Sequence, residues 1–133
     1  HAVPMLGDAG AHVGFFTDTD SPTVLLSELT RKQGVYSLPE AIHRITGKSA
    51  QIIGLKERGE LREGWHADIN VIDYENLHTC HPEYVNDFPH GGGRFIVKSR
   101  GYDATIVAGQ VVVQNGVHTG HRPGEVIRNF VRG

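Results

Sequence analysis

The chain has 133 residues, a length that suits one ordinary domain, with 38% hydrophobic residues and 17 glycines. Its 15 acidic and 13 basic residues give a net charge of −2 without a block of like charge, which argues against nucleic acid or an anionic membrane as partner. No apolar run approaches the roughly 18 residues of a membrane span. The single cysteine, Cys80, excludes an internal disulfide and suits a reducing compartment. We therefore expect a cytoplasmic protein, rich in loops, with no nucleic-acid or membrane partner.

The first predicted element is a short apolar strand at residues 3–6, followed by the loop sequence GDAGAH at residues 7–12. Asp8 stands where this strand runs into a glycine-containing loop that continues to residue 20. Aspartate is common in such loops for purely structural reasons, but a carboxylate at the end of a strand is also a candidate general acid or base. His12 lies four residues further along the same loop, where it either faces solvent or contacts a bound substrate or metal.

Two or three short helices follow. Ser21 is expected to cap the first helix, with Pro22 at its first position, and Gly34 is expected to stop it. Ser37 and Glu40 have the spacing of a capping box at the start of the second helix. A third short helix is predicted to close at residue 54.

Strand signals replace helix signals around residues 55–65. Residues 68–73 alternate polar and apolar, as a half-buried strand does, and we expect Asp68 to bind backbone amides at the entrance of that strand. Residues 77–93 read as a long irregular segment, and residues 94–97 as a strand. Residues 102–108 and 111–114 flank the dipeptide Gly109-Gln110, which predicts a hairpin, and Asn115-Gly116 predicts a second turn.

An ordered set of motifs resembles the C-terminal region of metal-dependent amidohydrolases. The set begins with SLPEAIHRITG at residues 37–47 and continues with Ala50, Ile53-Gly54-Leu55, Arg58-Gly59, Leu61, Gly64, Ala67-Asp68 and Val71-Ile72-Asp73. Later motifs at residues 82–87, 101–102, 104–110, 119–120 and 123–124 look more specifically like the N-acyl-D-amino-acid deacylase (D-aminoacylase) branch. The similarity covers nearly all of the chain.

The resemblance implies an α+β chain in two parts. Residues 1–57 would hold the last strand and helices of a (β/α)8 barrel, and residues 58–133 the C-terminal strands and return tail of a small β-sandwich. A barrel of this kind needs roughly 200 residues or more. We therefore expect a C-terminal fragment whose apolar helix faces, around Leu25, Leu29, Ile42 and Ile45, pack against a missing N-terminal part of the same enzyme.

The resemblance also implies the chemistry. Members hydrolyse an amide bond, here of an N-acyl-D-amino acid, using one or two divalent metal ions, usually zinc, that activate water. Asp8 matches the aspartate that takes the proton of the water and returns it to the leaving amine, and it would bind metal only together with ligands absent from this chain. His12 is a candidate substrate-binding residue. Gly7 stands where many relatives have serine.

The histidine-rich stretch at His78, Cys80 and His81 does not predict a metal site, because structural zinc needs four ligands in paired spacing and no second cysteine exists. This stretch is expected to lie away from the barrel mouth. Gly91-Gly92-Gly93 lacks the helix start and Lys-Ser/Thr sequence of a phosphate-binding loop.

The chain lacks the His-x-His pair and later histidines that hold the metals in this superfamily. The fragment alone is therefore predicted neither to bind zinc tightly nor to hydrolyse acyl amino acids. Three alternatives remain open: a dihydroorotase- or hydantoinase-like enzyme acting on a cyclic amide, a non-catalytic assembly module, and half of a split enzyme completed by another chain. The parent enzyme is a possible homo-oligomer.

Overall fold

The computed structural model describes residues 9–128. Helix α1 (Ser21–Val24) continues as a π-helix (Leu25–Lys32), and helices α2 (Leu38–Ile45) and α3 (Gly47–Ile53) follow. The strands are β1 (Ile69–Ile72), β2 (His78–Thr79), β3 (Glu83–Val85), β4 (Arg94–Ile96), β5 (Ser99–Arg100), β6 (Tyr102–Val107), β7 (Gln110–Gln114) and β8 (Val117–His118). This order confirms the α+β class and the change from helices to strands. The strand predicted at residues 3–6 lies outside the described residues.

Local signals set most helix ends. The Ser37 hydroxyl accepts a hydrogen bond from the Glu40 amide at 3.4 Å, which confirms the cap of α2. The Glu40 carboxylate pairs with Arg44 one turn later at 2.8 Å. Gly34 and Gly54 follow the π-helix and α3 with φ of +65° and +74°, so both predicted stops are confirmed.

Two features of the first helix differ from expectation. Asp20, and not Ser21, is the N-cap, because the Asp20 carbonyl already accepts the amide of Val24 at 3.0 Å. The π-helical continuation, in which each amide bonds five residues back, was not predicted. Among the described residues, no helix is long and apolar enough to cross a membrane.

The hydrophobic core is small and joins the helices to the strand region. Leu25 and Leu26 of the π-helix and Ala41 of α2 pack with Leu77, which follows β1 and is fully buried. The core therefore crosses position 57, and the division of the chain at that position stays a prediction. Leu25 was expected to lie on an apolar face awaiting a partner, but it is buried within the chain's own core. Ile42, by contrast, is 39% exposed.

The strands form three antiparallel sheets in the described part of the chain. The largest has the order β1-β6-β7-β8, and β2-β5 and β3-β4 form two-stranded sheets. The β7–β8 turn at Asn115-Gly116 is confirmed, with φ of +50° and +79°. The β6–β7 hairpin is confirmed too, but its turn is Ala108-Gly109, since Gln110 already belongs to β7. The composite barrel and sandwich arrangement stays a prediction.

A close approach joins β6 to the turn before β2. Gly101 has φ of +92°, and a Cβ at this position would lie 2.7 Å from the Leu77 Cα. The Gly101 carbonyl accepts the Asp73 amide at 2.8 Å. Arg31 of the π-helix donates to the carbonyls of Tyr74 and Leu77 on the same turn. This turn therefore connects the π-helix with the four-stranded sheet.

Candidate functional site

The predicted general base, Asp8, lies outside the described residues, and the structure describes the loop that follows it. This loop reverses at His12, whose φ is +48° and whose carbonyl accepts the amides of Phe15 and Phe16 at 2.8 and 3.4 Å. A histidine tolerates such a left-handed conformation better than most residues do. The chain therefore makes a tight turn four residues after Asp8.

The His12 side chain is exposed and lies near two aromatic rings. Its ring centroid is 6.3 Å from those of both Phe15 and Phe16, at tilted angles. Phe15 is itself 83% exposed. An imidazole in this setting can donate or accept a hydrogen bond to a molecule approaching the loop. Its assignment as a substrate-binding residue stays a prediction.

A distant strand holds the loop immediately after His12. The Phe95 amide of β4 donates to the Val13 carbonyl at 2.8 Å. The Phe95 ring meets the Tyr84 ring of β3 edge-on, with centroids 5.0 Å apart. The β3–β4 hairpin, which follows the histidine-rich stretch, thus reaches the loop after Asp8 through the Phe95 amide.

A hydroxyl cluster joins α1, the helix that follows this loop, to the strand region. Buried Thr23, in α1, makes 2.9 Å hydrogen bonds to the hydroxyls of both Ser99 and Tyr102. Ser27 donates in turn to the Thr23 carbonyl at 2.8 Å. Residues 94–102 therefore contact both the loop, at Val13, and the helix that follows it, at Thr23. Sequence reasoning missed these contacts, since nothing in the hydroxyl residues themselves signals partners more than 70 positions away.

The histidine-rich stretch makes ordinary structural contacts. His78 Nδ1 lies 2.7 Å from the Asn76 carbonyl, and the Cys80 amide donates to the Lys98 carbonyl at 2.8 Å. Across the described residues, no group of three or more histidine, cysteine, aspartate or glutamate side chains could hold a metal ion. The described residues therefore do not fit the metal centre that the motifs imply.

Ion pairs brace the strand region. Arg94 donates two hydrogen bonds to the Asp87 carboxylate, at 2.8 and 2.7 Å. These bonds lower the pKa of Asp87 and raise that of Arg94, because each favours the charged form of its partner. Asp68 binds Arg58 and also accepts the Ala108 amide at 3.0 Å. Its expected structural role is confirmed, with a turn 40 residues away as partner.

An apolar groove of about 590 Å³ lies between α2 and β1. Its lining includes Ile42, Ile45, Leu61, Ile69 and Ile72. The sequence did not predict it, although two of the isoleucines were expected to face a missing partner.

Comparison with known proteins places the chain in a family. The amidohydrolase family matches residues 1–113. N-acyl-D-aspartate deacylase from Alcaligenes xylosoxydans xylosoxydans is 39% identical over 106 residues, which cover 79% of this chain and 19% of that protein. Dihydroorotase from Endomicrobium trichonymphae is 34% identical over 96 residues, or 69% of this chain and 22% of that protein.

Solved structures give the same result. An aspartate-to-alanine mutant of D-aminoacylase in complex with CuCl2 aligns with a TM-score of 0.65 and 27% identity, over 81% of this chain and 21% of that one. A second D-aminoacylase structure, which addresses the functional role of a binuclear metal center, aligns with a TM-score of 0.59 and 27% identity. The alignment covers 75% of this chain and 19% of that one. The chain spans about a fifth of the length of these relatives. It therefore belongs to the amidohydrolase family, in the D-aminoacylase branch that its motifs predicted.

Proposed function

We propose that this chain is the C-terminal part of a metal-dependent hydrolase that cleaves the amide bond of N-acyl-D-amino acids. The observation that carries the proposal is the family match, which begins at residue 1 and so includes Asp8 and His12. The similarity to N-acyl-D-aspartate deacylase and D-aminoacylase supports this substrate class.

In the proposed reaction, Asp8 acts as general base and then as general acid. Its carboxylate accepts a proton from the water whose oxygen bonds to the amide carbonyl carbon. The carbon–nitrogen bond then breaks, and Asp8 returns the proton to the leaving nitrogen, which departs as the amine of the D-amino acid. His12, on the turn that follows, contacts the substrate.

The resemblance implies one or two divalent metal ions, which Asp8 would bind only together with ligands from outside this chain. Among the described residues, no group of side chains could hold a metal ion on its own. Zinc is the metal that the resemblance implies. The surface of the described part supports a missing partner segment. Five of its hydrophobic residues are buried, whereas thirteen large ones are exposed. The groove between α2 and β1 and the free edge of β1 are the surfaces that the rest of the enzyme would cover.

A second candidate is a cyclic amidase, which the similarity to dihydroorotase favours. Both candidates use the same acid–base residue on an amide, so they differ in substrate and not in the role of Asp8. If the full-length enzyme hydrolyses dihydroorotate and does not hydrolyse an N-acyl-D-amino acid, this second candidate is correct.

The test is replacement of Asp8 in the full-length enzyme. We expect Asp8→Asn to lower kcat/KM for N-acetyl-D-amino acids by about 10²- to 10⁴-fold, because general acid–base catalysis contributes that much. The measurement is steady-state release of the free amine, with metal content determined for each variant.

Asp20→Asn is the matched control. Asp20 lies at the other end of the same loop, and its side chain makes no capping hydrogen bond, so this variant should keep wild-type turnover. Normal hydrolysis by Asp8→Asn and by Asp8→Ala would contradict the proposal.

A further inference from the structure

The loop that follows Asp8 is joined to a hairpin far away in the sequence. The Phe95 amide donates to the Val13 carbonyl at 2.8 Å, and these two residues are 82 positions apart. Val13 directly follows His12, at the point where the chain turns. The bond therefore acts on the turn itself.

The Phe95 amide is free to make this bond because of the register of the β3–β4 hairpin. Phe95 lies opposite Tyr84 in that antiparallel pair. Directly opposed residues alternate between pairs that exchange hydrogen bonds and pairs whose amides point outward. Since the Phe95 amide bonds to Val13, the Tyr84–Phe95 pair is of the second kind, and β4 presents this donor on its outer edge.

The hairpin is braced at several points, so it can act as a fixed support. The Tyr84 ring packs edge-on against Phe95, and a Cβ on Gly93 would overlap the Tyr84 ring. Arg94 closes the hairpin through two hydrogen bonds to Asp87, at 2.8 and 2.7 Å. Its guanidinium lies 5.2 Å from the centroid of the Phe88 ring. An edge-to-face ring pair and a charge-assisted double hydrogen bond both favour one geometry.

We propose that Phe95 is a positioning residue: its backbone amide fixes the turn at His12 and Val13, the described part of the loop that follows Asp8, and the proposed proton transfer and substrate contact depend on this turn. This inference rests on the proposed function. Its physical basis is that a misplacement of about 1 Å can cost about a hundredfold in rate. The segment carrying β3 and β4 is then part of the catalytic arrangement without touching the substrate.

Two substitutions at one position separate the amide from the ring. Phe95→Ala removes the ring and keeps the donor, whereas Phe95→Pro removes both. Proline is tolerated where the lost amide points out of a sheet, and it favours the extended conformation that Arg94 already has in β4. The kinetic constants of Phe95→Pro are therefore compared with those of Phe95→Ala, both in the full-length enzyme.

We expect kcat of Phe95→Pro to lie about tenfold to a hundredfold below that of Phe95→Ala, with KM similar in the two. A kcat loss at constant KM identifies an interaction that acts in the transition state. The loss should be smaller on the ester counterpart of the substrate, an O-acyl-D-2-hydroxy acid, because its leaving oxygen needs less protonation than an amine. A general loss of structure would affect both substrates alike.

Equal kcat values for the two variants, or equal losses on amide and ester, would overturn the inference. If the proline variant does not fold, hydrogen exchange in the wild-type enzyme decides, with the opposed Tyr84 amide as reference. The Phe95 amide should exchange at least about tenfold more slowly, as a hydrogen-bonded amide does, and equal exchange overturns the inference. Failure of this inference can be told apart from failure of the proposed function. An active Asp8→Asn enzyme refutes the catalytic role of Asp8. An inactive Asp8→Asn enzyme, together with equal kcat values for the two Phe95 variants, refutes only the positioning role of Phe95.

Discussion

Gly101 offers a sharp test of how the turn before β2 packs against β6. An alanine there faces two costs. The first is its φ of +92°, a conformation that costs a residue with a Cβ about 1–3 kcal/mol. The second is overlap: the new Cβ would lie 2.7 Å from the Leu77 Cα and 2.9 Å from the Asp73 carbonyl oxygen. Both are backbone atoms, which cannot rotate away, and overpacking of this kind costs about 1–3 kcal/mol. We therefore expect Gly101→Ala to lower the free energy of unfolding by about 4 kcal/mol, near the middle of the summed range.

Gly116→Ala is the matched control for this substitution. Gly116 has a similar φ, +79°, but nothing lies within 4 Å of the Cβ that would be added. It therefore carries the conformational cost without the overlap. Equilibrium urea unfolding, followed by circular dichroism, measures both variants in the same protein. The difference between them should be about 1–3 kcal/mol, and equal stabilities would refute the close approach of Gly101 to Leu77.

Two further predictions concern the core and the hairpin. Leu77→Ala should lower the free energy of unfolding in urea by about 2–5 kcal/mol, because it leaves a cavity at a fully buried position. Val126 is 79% exposed, so Val126→Ala should lower it by at most about 0.5 kcal/mol. Similar losses at both positions would contradict the assignment of Leu77 to the core. Arg94 lowers the pKa of Asp87, so this pair stabilises the fold above the unfolded carboxyl pKa of about 3.9 and loses that effect as pH falls through the lower folded pKa. The stability difference between wild type and Arg94→Gln should therefore shrink as the pH is lowered below about 4, and a difference that does not change with pH would argue against the pair.

Much of the local structure was predictable because its causes lie within a few residues. Ser37 caps α2, and Gly54 ends α3, because one side chain or one missing Cβ satisfies the helix terminus. Asn115-Gly116 forms its turn because both residues accept positive φ. Asp68 was expected to bind backbone amides, and it does. The family followed from an ordered set of motifs and was confirmed by the match to residues 1–113.

The first helix and the hairpin show where local reasoning ends. The residues of the π-helix suit an α-helix equally well, so their types carry no sign of the wider hydrogen-bond pattern. The strand predicted at residues 94–97 is confirmed as β4, but its partner β3 lies in the segment that was predicted to be irregular. With three residues, β3 is too short to show the period-two pattern that identifies a strand. The pairing of β3 with β4 depends on contacts such as the Tyr84–Phe95 ring pair, which exist only after the chain has folded.

The amino-acid sequence by itself determined the cap of α2, the turn at Asn115-Gly116, the α+β order and the family, since each of these depends on neighbouring residues or on a linear motif. Only the tertiary structure decided which distant groups meet. In the folded chain the Phe95 amide donates to the Val13 carbonyl, and the Ala108 amide donates to the Asp68 carboxylate. The Leu77 side chain packs against the π-helix. The physical reason is that a backbone amide or an apolar side chain can bond to or pack against many possible partners. Which partner it meets depends on the path of the whole chain, and no local sequence pattern records that path.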